Sequence, residues 1–304
     1  MEMKPEISVV MAVYNGERHV KQQIESILSQ TFQNFELIIV DDLSQDETLE
    51  IVKYFENLDS RVVVVENIRN LGVAKTFEVG INKASGDFIA LSDQDDIWLP
   101  NHLQLLREAI IDHSLAHTDS KMFSDDDLIE TLFWNKFRWV FNLNSNDKLI
   151  YLLFANYVRG ASCMFRAELC QTALPFPEGI GMHDHWLAFC AANASGIADV
   201  DCVTTLYRRH NNTVTNERRF SIDKFVNWDP LRFVSCVAHN YLRDKSESKR
   251  LKPCIEESVS MLLQNRRYLI DFTMRNYSSI FGARSKIHRI LLYLRLNFYV
   301  FLCR

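Results

Sequence analysis

No two of the seven cysteines in this chain (Cys163, Cys170, Cys190, Cys202, Cys236, Cys254 and Cys303) stand at C-x-x-C spacing. An odd number without that spacing argues against a disulfide framework and against a structural zinc site. No apolar run reaches the roughly 18–20 residues that span a bilayer, because the best candidate, Ile290 to Leu302, is interrupted by Arg295 and Asn297. The opening Met1-Glu2-Met3-Lys4-Pro5-Glu6 lacks the basic and apolar regions of a secretory leader. The expected compartment is therefore a reducing cytoplasm. Low-complexity tracts and internal repeats are missing as well. So are the phosphate-loop pattern G-x-x-x-x-G-K-[ST] and the dinucleotide fingerprint G-x-G-x-x-G, which removes the main support for kinase-like and nicotinamide-dependent chemistry.

Positive charge is not in excess: the net charge is −5. From Arg243 to Arg304, 13 Lys+Arg stand against 5 Asp+Glu, a balance of +8 that leaves −13 on residues 1–242. An acidic body with a basic tail is unlike a nucleic-acid reading surface, and no nucleic-acid partner is expected. Ser285–Arg304 interleaves Lys286, Arg289 and Arg295 with Ile290, Leu291, Leu294, Leu296, Phe298 and Phe301. Such a helix either lies in an anionic membrane interface, here the inner face of the plasma membrane, or packs on the body or on a second copy of the chain.

A length of 304 residues with 47% hydrophobic side chains buries a sizeable core in one large or two modest domains. Residues 7–112 alternate strand and helix, the pattern of a parallel sheet covered by helices. Strands are expected at Ile7–Val13, Phe35–Val40, Val62–Val65 and Phe88–Leu91. Helices are expected at Glu17–Gln30, after a capping box of Ser44 with Glu47, at Val73–Ala84, and after Pro100. Past residue 115 the period is harder to read: Gly160–Phe165 suggests a short strand and Trp186–Ala194 a buried helix. Beyond Arg219 the character is helical. The expected organisation is a catalytic body at 1–220, with halves at 1–115 and 116–220, and a helical tail at 221–304.

The apolar strand at Phe88 runs into Ser92-Asp93-Gln94-Asp95-Asp96. A buried strand that ends in carboxylates delivers them to the carboxyl edge of the sheet, where open α/β folds bind ligands. On an extended chain Asp93 and Asp95 share one side, and paired oxygens suit Mg²⁺ or Mn²⁺. A solvated acidic turn is the plain alternative. Three more features fall at the same edge: Ala12-Val13-Tyr14-Asn15, Asp41-Asp42-x-Ser44 and Asn70-Leu71-Gly72. Tyr14 either stacks on a flat base or packs as a turn aromatic. Asp42 either accepts an imide N–H or caps the next helix. Glu17, in an expected first helical turn, is favoured by the helix dipole with or without a ligand. Asp96 is expected to cap the turn that follows. A second signal is Gly181-Met182-His183-Asp184-His185-Trp186, where Asp184 is either a base facing a cleft or an N-cap.

These residues resemble glycosyltransferase family 2 with its GT-A fold, a Rossmann-like, mostly parallel sheet with helices on both faces. The resemblance is carried by Ile7–Gly16, Glu36–Asp46, Asn70–Gly72 and Gly86–Pro100. It implies that Ala12, Tyr14, Glu17, Asp42 and Asp93 border the nucleotide sugar, and that Asp95, with Asp93, holds the cation. His183-Asp184-His185-Trp186 resembles the H-D-x-W form of the family's base motif in bacterial rhamnosyltransferase-like members, which implies Asp184 as catalytic base and dTDP-rhamnose as donor. Leu206–Asn212 resembles the segment after the base. Arg208 would then meet the diphosphate and His210 the metal, although a solvated basic turn fits the same residues. Arg159–Phe165 resembles the strand before the acceptor site, where small residues let a sugar approach. The Gln-x-x-Arg-Trp signature of processive synthases is not met. The implied activity is transfer of one sugar, with inversion, to a glycan or polyprenyl-diphosphate-linked acceptor of surface polysaccharide synthesis. UDP-hexose and UDP-N-acetylhexosamine donors, a catalytically silent binding subunit and a nucleotidyltransferase are the alternatives.

Overall fold

A computed structural model describes residues 4–124, 138–152, 156–178, 180 and 182–209. The expected tail at 221–304, His210 and the stretch before Arg138 lie outside these residues. Eight strands form one sheet: β1 (Ile7–Val13), β2 (Phe35–Asp41), β3 (Val62–Glu66), β4 (Phe88–Ser92), β5 (Ile97–Trp98), β6 (Leu115–Phe123), β7 (Cys163–Arg166) and β8 (Ile197–Arg208). Their order is β3-β2-β1-β4-β7-β6-β8-β5. The first four are mutually parallel, and β7 and β5 run against their neighbours.

Period-two alternation explains how β1 is covered on both faces. Ile7, Val9, Met11 and Val13 belong to one core cluster with Ile24, Ile27, Val52, Leu103 and Leu106. These come from α1 (Val20–Leu28), α2 (Thr48–Leu58) and α4 (His102–Ala109). Val10 faces a second cluster containing Phe77 and Ile81 of α3 (Val73–Lys83), together with Trp186, Leu187 and Phe189. Each fully buried side chain of this size contributes about 1.5–3 kcal/mol. In α1 the buried Val20, Ile24 and Ile27 recur at helical spacing, as the sequence predicts.

The second half departs from the expected pattern because its strands are polar. β6 and β8 pair in parallel around an irregular register at Thr118, Asp119 and Ser120. His117, Thr118, Asp119, Ser120, Thr204 and Thr205 are buried there. Side-chain hydrogen bonds cross between the two strands: Thr118 bonds Thr204, Ser120 bonds Thr205, and His117 meets Asp199 at 2.6 Å. A reading that follows hydrophobic period does not detect such strands. The remaining helices are α5 (Arg138–Phe141), α6 (Ser145–Leu152), α7 (Cys170–Ala173) and α8 (His183–Asn193).

One carboxylate fastens the loop between β3 and α3 to the end of β2. Asp42 accepts hydrogen bonds from Asn67 Nδ2 at 2.8 Å, Leu71 N at 2.8 Å and Gly72 N at 2.9 Å. Burial opposes its charge, yet the donors from Leu71, Asn67 and Gly72 outweigh burial and hold its pKa below the ordinary value of 3.8. Because the folded pKa lies below the unfolded one, the stabilisation is complete above about pH 4 and is lost as pH falls through the folded value. Asp42→Asn is expected to remove that acid dependence. It also turns an N–H donor toward Gly72 N, which should lower stability at neutral pH by about 1–3 kcal/mol. Urea midpoints of both proteins across pH 3–7 measure this, and superimposable curves would show that the loop is held by other contacts.

Candidate functional site

Chain order sets the cleft. From β1 the chain moves outward through β2 and β3, then returns to place β4 on the other side of β1. Between the carboxyl ends of β1 and β4 is therefore the switch point where open α/β sheets bind ligands. Ala12, the penultimate residue of β1, is partly buried against the α3-side core. Tyr14 follows β1 with 44% of its surface exposed. The backbone behind it is firmly held, and Asn15 adopts a positive φ of 47°. Asn15 N donates to Ser44 Oγ at 3.0 Å, Gln45 N to Asn15 Oδ1 at 2.8 Å, and Gly16 N to Thr48 Oγ1 at 2.7 Å.

Two expectations change here. Ser44 and Glu47 do not form a capping box, because Ser44 Oγ is engaged by Asn15 and α2 starts only at Thr48. Glu17 lies in the turn before α1 rather than in its first turn, and its Oε2 accepts the Glu47 backbone N–H at 3.1 Å. Its carboxylate supports the start of α2. Asp41 braces the same turn, accepting Ser44 N at 3.0 Å.

After Ser92, the last residue of β4 paired with β1, the chain bends at Gln94 and Asp95. The alternation of an extended strand does not continue through Asp93 and Asp95, because no neighbouring strand extends the ladder. Asp96 is fully buried instead of capping a turn. Its Oδ2 accepts Arg159 Nη2 at 3.1 Å and its Oδ1 accepts the Arg208 backbone N–H at 3.1 Å. Arg208 is buried under the acidic loop and is no solvated turn. It donates from Nε to the Asp95 carbonyl at 2.9 Å and from Nη2 to Gln22 Oε1 at 2.6 Å. Its guanidinium thus supports the backbone of the acidic loop.

Asp184 comes from the opposite side, in the first turn of α8. Its Oδ2 accepts Gly160 N at 3.2 Å and its Oδ1 accepts His185 N at 2.7 Å. Arg159–Phe165 proves to be a 3₁₀ turn, Gly160–Ser162, followed by β7. The small residue there admits α8: a Cβ on Gly160 would stand 3.2 Å from His183 Nε2 and 3.3 Å from Asp184 Cβ. The neighbours of Asp184 diverge from it. His183 stacks on Phe77 at 4.2 Å, and burial lowers its pKa although Asp184 acts in the other direction. His185 Nε2 lies 2.5 Å from the Leu152 carbonyl. Cys163 is buried, and burial, followed by the charges of Asp184 and Asp93, pushes its thiol far up.

The acids and Asp184 influence one another. Desolvation in the cleft, followed by the charges of Asp96 and Asp95, raises Asp93 above the ordinary carboxylate range; Arg159, 3.9 Å away, offsets part of the rise and Asp184 adds to it. Asp93 still keeps 41% of its side chain accessible. Among the described residues, no group of three or more His, Cys, Asp or Glu is arranged to hold an ion alone. A hard cation that keeps water and phosphate oxygens in its shell needs only one or two protein carboxylates, and the chemistry of Asp93 and Asp95 suits such an ion. Gln94, Arg159, Thr48 and Asn67 are site-building residues that motif reading did not single out.

Comparison with known proteins agrees with this geometry. The Escherichia coli protein named UDP-Glc:alpha-D-GlcNAc-diphosphoundecaprenol beta-1,3-glucosyltransferase WfgD is 36% identical over 110 residues, 36% of this chain and 43% of that one. The chain spans 38% and 54% of the length of two other curated relatives, from Bacillus subtilis and Haemophilus influenzae. The solved structure of S. aureus TarS 1-349 in complex with UDP-GlcNAc superposes with a TM-score of 0.58 at 19% identity, covering 91% of this chain and 82% of that one. The mannosyltransferase PcManGT from Pyrobaculum calidifontis, in complex with GDP-Man and Mn²⁺, gives 0.54 at 16% identity, covering 98% and 81%. At such identities these two likenesses establish a shared fold, the GT-A arrangement. The model of "Glycosyl transferase family 2" matches residues 8–171, from the second residue of β1 into α7 and more than half of the sequence, and the chain belongs to glycosyl transferase family 2.

Proposed function

We propose that this chain is an inverting, non-processive glycosyltransferase that moves one sugar from a nucleoside diphosphate donor to a glycan or lipid-linked glycan acceptor. What supports this reading is that two consecutive residues link the acidic loop to Asp184: Arg159 pairs with Asp96 and lies 3.9 Å from Asp93, while Gly160 donates to Asp184.

The exposed ring of Tyr14 offers a face to the base. Asp42 uses three acceptor positions on its own loop. Thr76 also hydrogen-bonds this carboxylate, so recognition of an imide N–H by Asp42 rests on the family resemblance and would share its oxygens with that loop. Ala12 borders the base, and Asp93 the ribose or the cation. Asp93 and Asp95 would hold Mg²⁺ or Mn²⁺, which when bound neutralises charge growing on the departing diphosphate. His210 lies outside the described residues, and its part in holding phosphate or metal rests on the resemblance. Arg208 acts one step back by fixing the Asp95 backbone.

Asp184 accepts two hydrogen bonds and keeps lone pairs for a third partner. As general base it takes the proton of the acceptor hydroxyl while that oxygen bonds to the anomeric carbon. The bond from that carbon to the diphosphate oxygen breaks on the opposite face. The configuration inverts.

The H-D-x-W form at His183–Trp186 favours dTDP-rhamnose as donor. The names of WfgD and of the TarS complex favour UDP-glucose or UDP-N-acetylglucosamine, and the acceptor in the WfgD name, alpha-D-GlcNAc-diphosphoundecaprenol, supports a lipid-linked glycan acceptor. No helix among the described residues is long and apolar enough to cross a membrane. Access to such an acceptor would come from peripheral contact of the basic tail with the inner face of the plasma membrane.

A panel of dTDP-rhamnose, UDP-glucose, UDP-galactose and UDP-N-acetylhexosamines, scored by release of nucleoside diphosphate, tests the donor. Release of pyrophosphate with nucleotidyl transfer would overturn the reading, and binding without turnover of any donor would favour the silent subunit. Asp95→Ala is expected to abolish transfer and weaken cation-dependent donor binding; full activity would remove its metal role. Asp184→Asn should leave donor affinity intact and lower turnover by about a hundredfold or more. A parallel fall in affinity would make Asp184 a cap, and retained anomeric configuration would defeat the single displacement.

A further inference from the structure

Gln94 stands between the two proposed cation ligands, yet its side chain crosses the switch point to β1. Its Oε1 accepts the Tyr14 backbone N–H at 2.9 Å, and its Nε2 donates to the Tyr14 carbonyl at 3.1 Å. Both hydrogen-bonding groups of one residue are therefore held by one amide. The seat is close-fitting as well. A Cβ on Gly16 would lie 2.3 Å from Gln94 Oε1 and 2.6 Å from its Cδ, well inside contact distance, so only glycine leaves room for the amide. Behind Tyr14 the turn is pinned by Ser44 and Thr48. On the acidic side the loop is pinned by Arg208 at the Asp95 carbonyl and by Asp96 with Arg159. Among the contacts described, the Gln94 amide is the direct side-chain link between these two anchored turns.

We infer that Gln94 is a positioning residue that couples the cation side of the donor site to the Tyr14 face, so that occupation of one side raises the affinity of the other without any shared ligand atom. The inference rests on the donor-site reading above. Because the amide between Asp93 and Asp95 is bonded to both backbone groups of Tyr14, a ligand that restrains one of the two turns restrains the other and leaves less ordering for the second ligand to impose. Coupling of this kind is reciprocal. A glutamine supplies both an acceptor and a donor, as the paired N–H and C=O of one residue require. Glutamate offers only the acceptor, and methionine has the length without either.

A nucleoside separates this coupling from direct bridging, because it carries no phosphate for a cation to hold. Binding of uridine and of thymidine to the full chain is measured by ligand-observed NMR, with and without Mn²⁺ for affinity and with Mg²⁺ for line shape, and Mn²⁺ affinity is measured by electron paramagnetic resonance. In the wild type, the preferred nucleoside and Mn²⁺ should each tighten the other by about fivefold or more. In Gln94→Met the factor should fall to about one, with Gln94→Glu between them. Gly16→Ala, which displaces the amide from the opposite side, should lose the same coupling, and should have no additional effect in a Gln94→Ala background. The double mutant keeps the test valid if one single variant folds poorly. Coupling undiminished in Gln94→Met and Gly16→Ala, or absent from the wild type while both ligands bind, overturns the inference and leaves the donor site standing. Failure of the wild type to bind either nucleoside or Mn²⁺ overturns the donor-site reading, and this inference with it.

Discussion

Asp96 has no exposed surface, and its two oxygens reach two distant parts of the chain, the Arg159 guanidinium and the backbone N–H of Arg208. A buried carboxylate without such partners would not remain charged. Removing one partner of a buried pair typically costs about 3–5 kcal/mol, since the survivor is left uncompensated. This side chain is where the nucleotide half, the turn before β7 and the end of β8 are joined. Arg159 also lies over the Tyr207 ring at 3.7 Å, which fixes its plane as well as its charge. The acidic loop between β4 and β5 is thus held from below before any ligand arrives.

The arrangement of the cleft follows from that anchorage. With Arg159 directed at Asp96 and Asp93, the next residue, Gly160, presents its N–H to Asp184. Two consecutive residues therefore tie the acidic loop to Asp184. Trp98, directly after the acidic loop, donates from Nε1 to the Ala161 carbonyl at 3.1 Å and closes the same circuit one residue further on. Such a circuit offers preorganisation: the groups are positioned by buried contacts that do not have to form during the reaction.

The nucleotide half was legible in the sequence because its strands are apolar on both faces and end in polar residues. Ile7–Val13 and Phe35–Val40 were read within a residue of their observed limits. The second half was not, since β6 and β8 bury His117, Thr118, Ser120, Thr204 and Thr205, which look solvated when only composition is read. Motif reading singled out Asp93, Asp95 and Asp184, which the fold brings within electrostatic reach of one another, but it could not assign directions to side chains. Arg208, expected either at a diphosphate or in a solvated basic turn, is buried and bonds the backbone of the acidic loop. Asp96 and Arg159 carry a signal that was available: a third carboxylate beside two others at the end of a buried strand needs a cation from elsewhere in the chain. Only the fold says which one. Gln94 has no such signal, because an amide between two acids looks like filler until the switch point is drawn.

Tyr14 is held entirely through its main chain, while its ring stands half-open to solvent. Those hydrogen bonds are indifferent to what side chain the residue carries. Replacement of the ring during evolution would therefore alter the surface presented at the switch point without disturbing the acidic loop or Asp184. A scaffold that separates the frame from the surface presented to the ligand is open to new donors by single substitutions, whereas the neighbouring Gly16, pressed against an amide, has no such freedom.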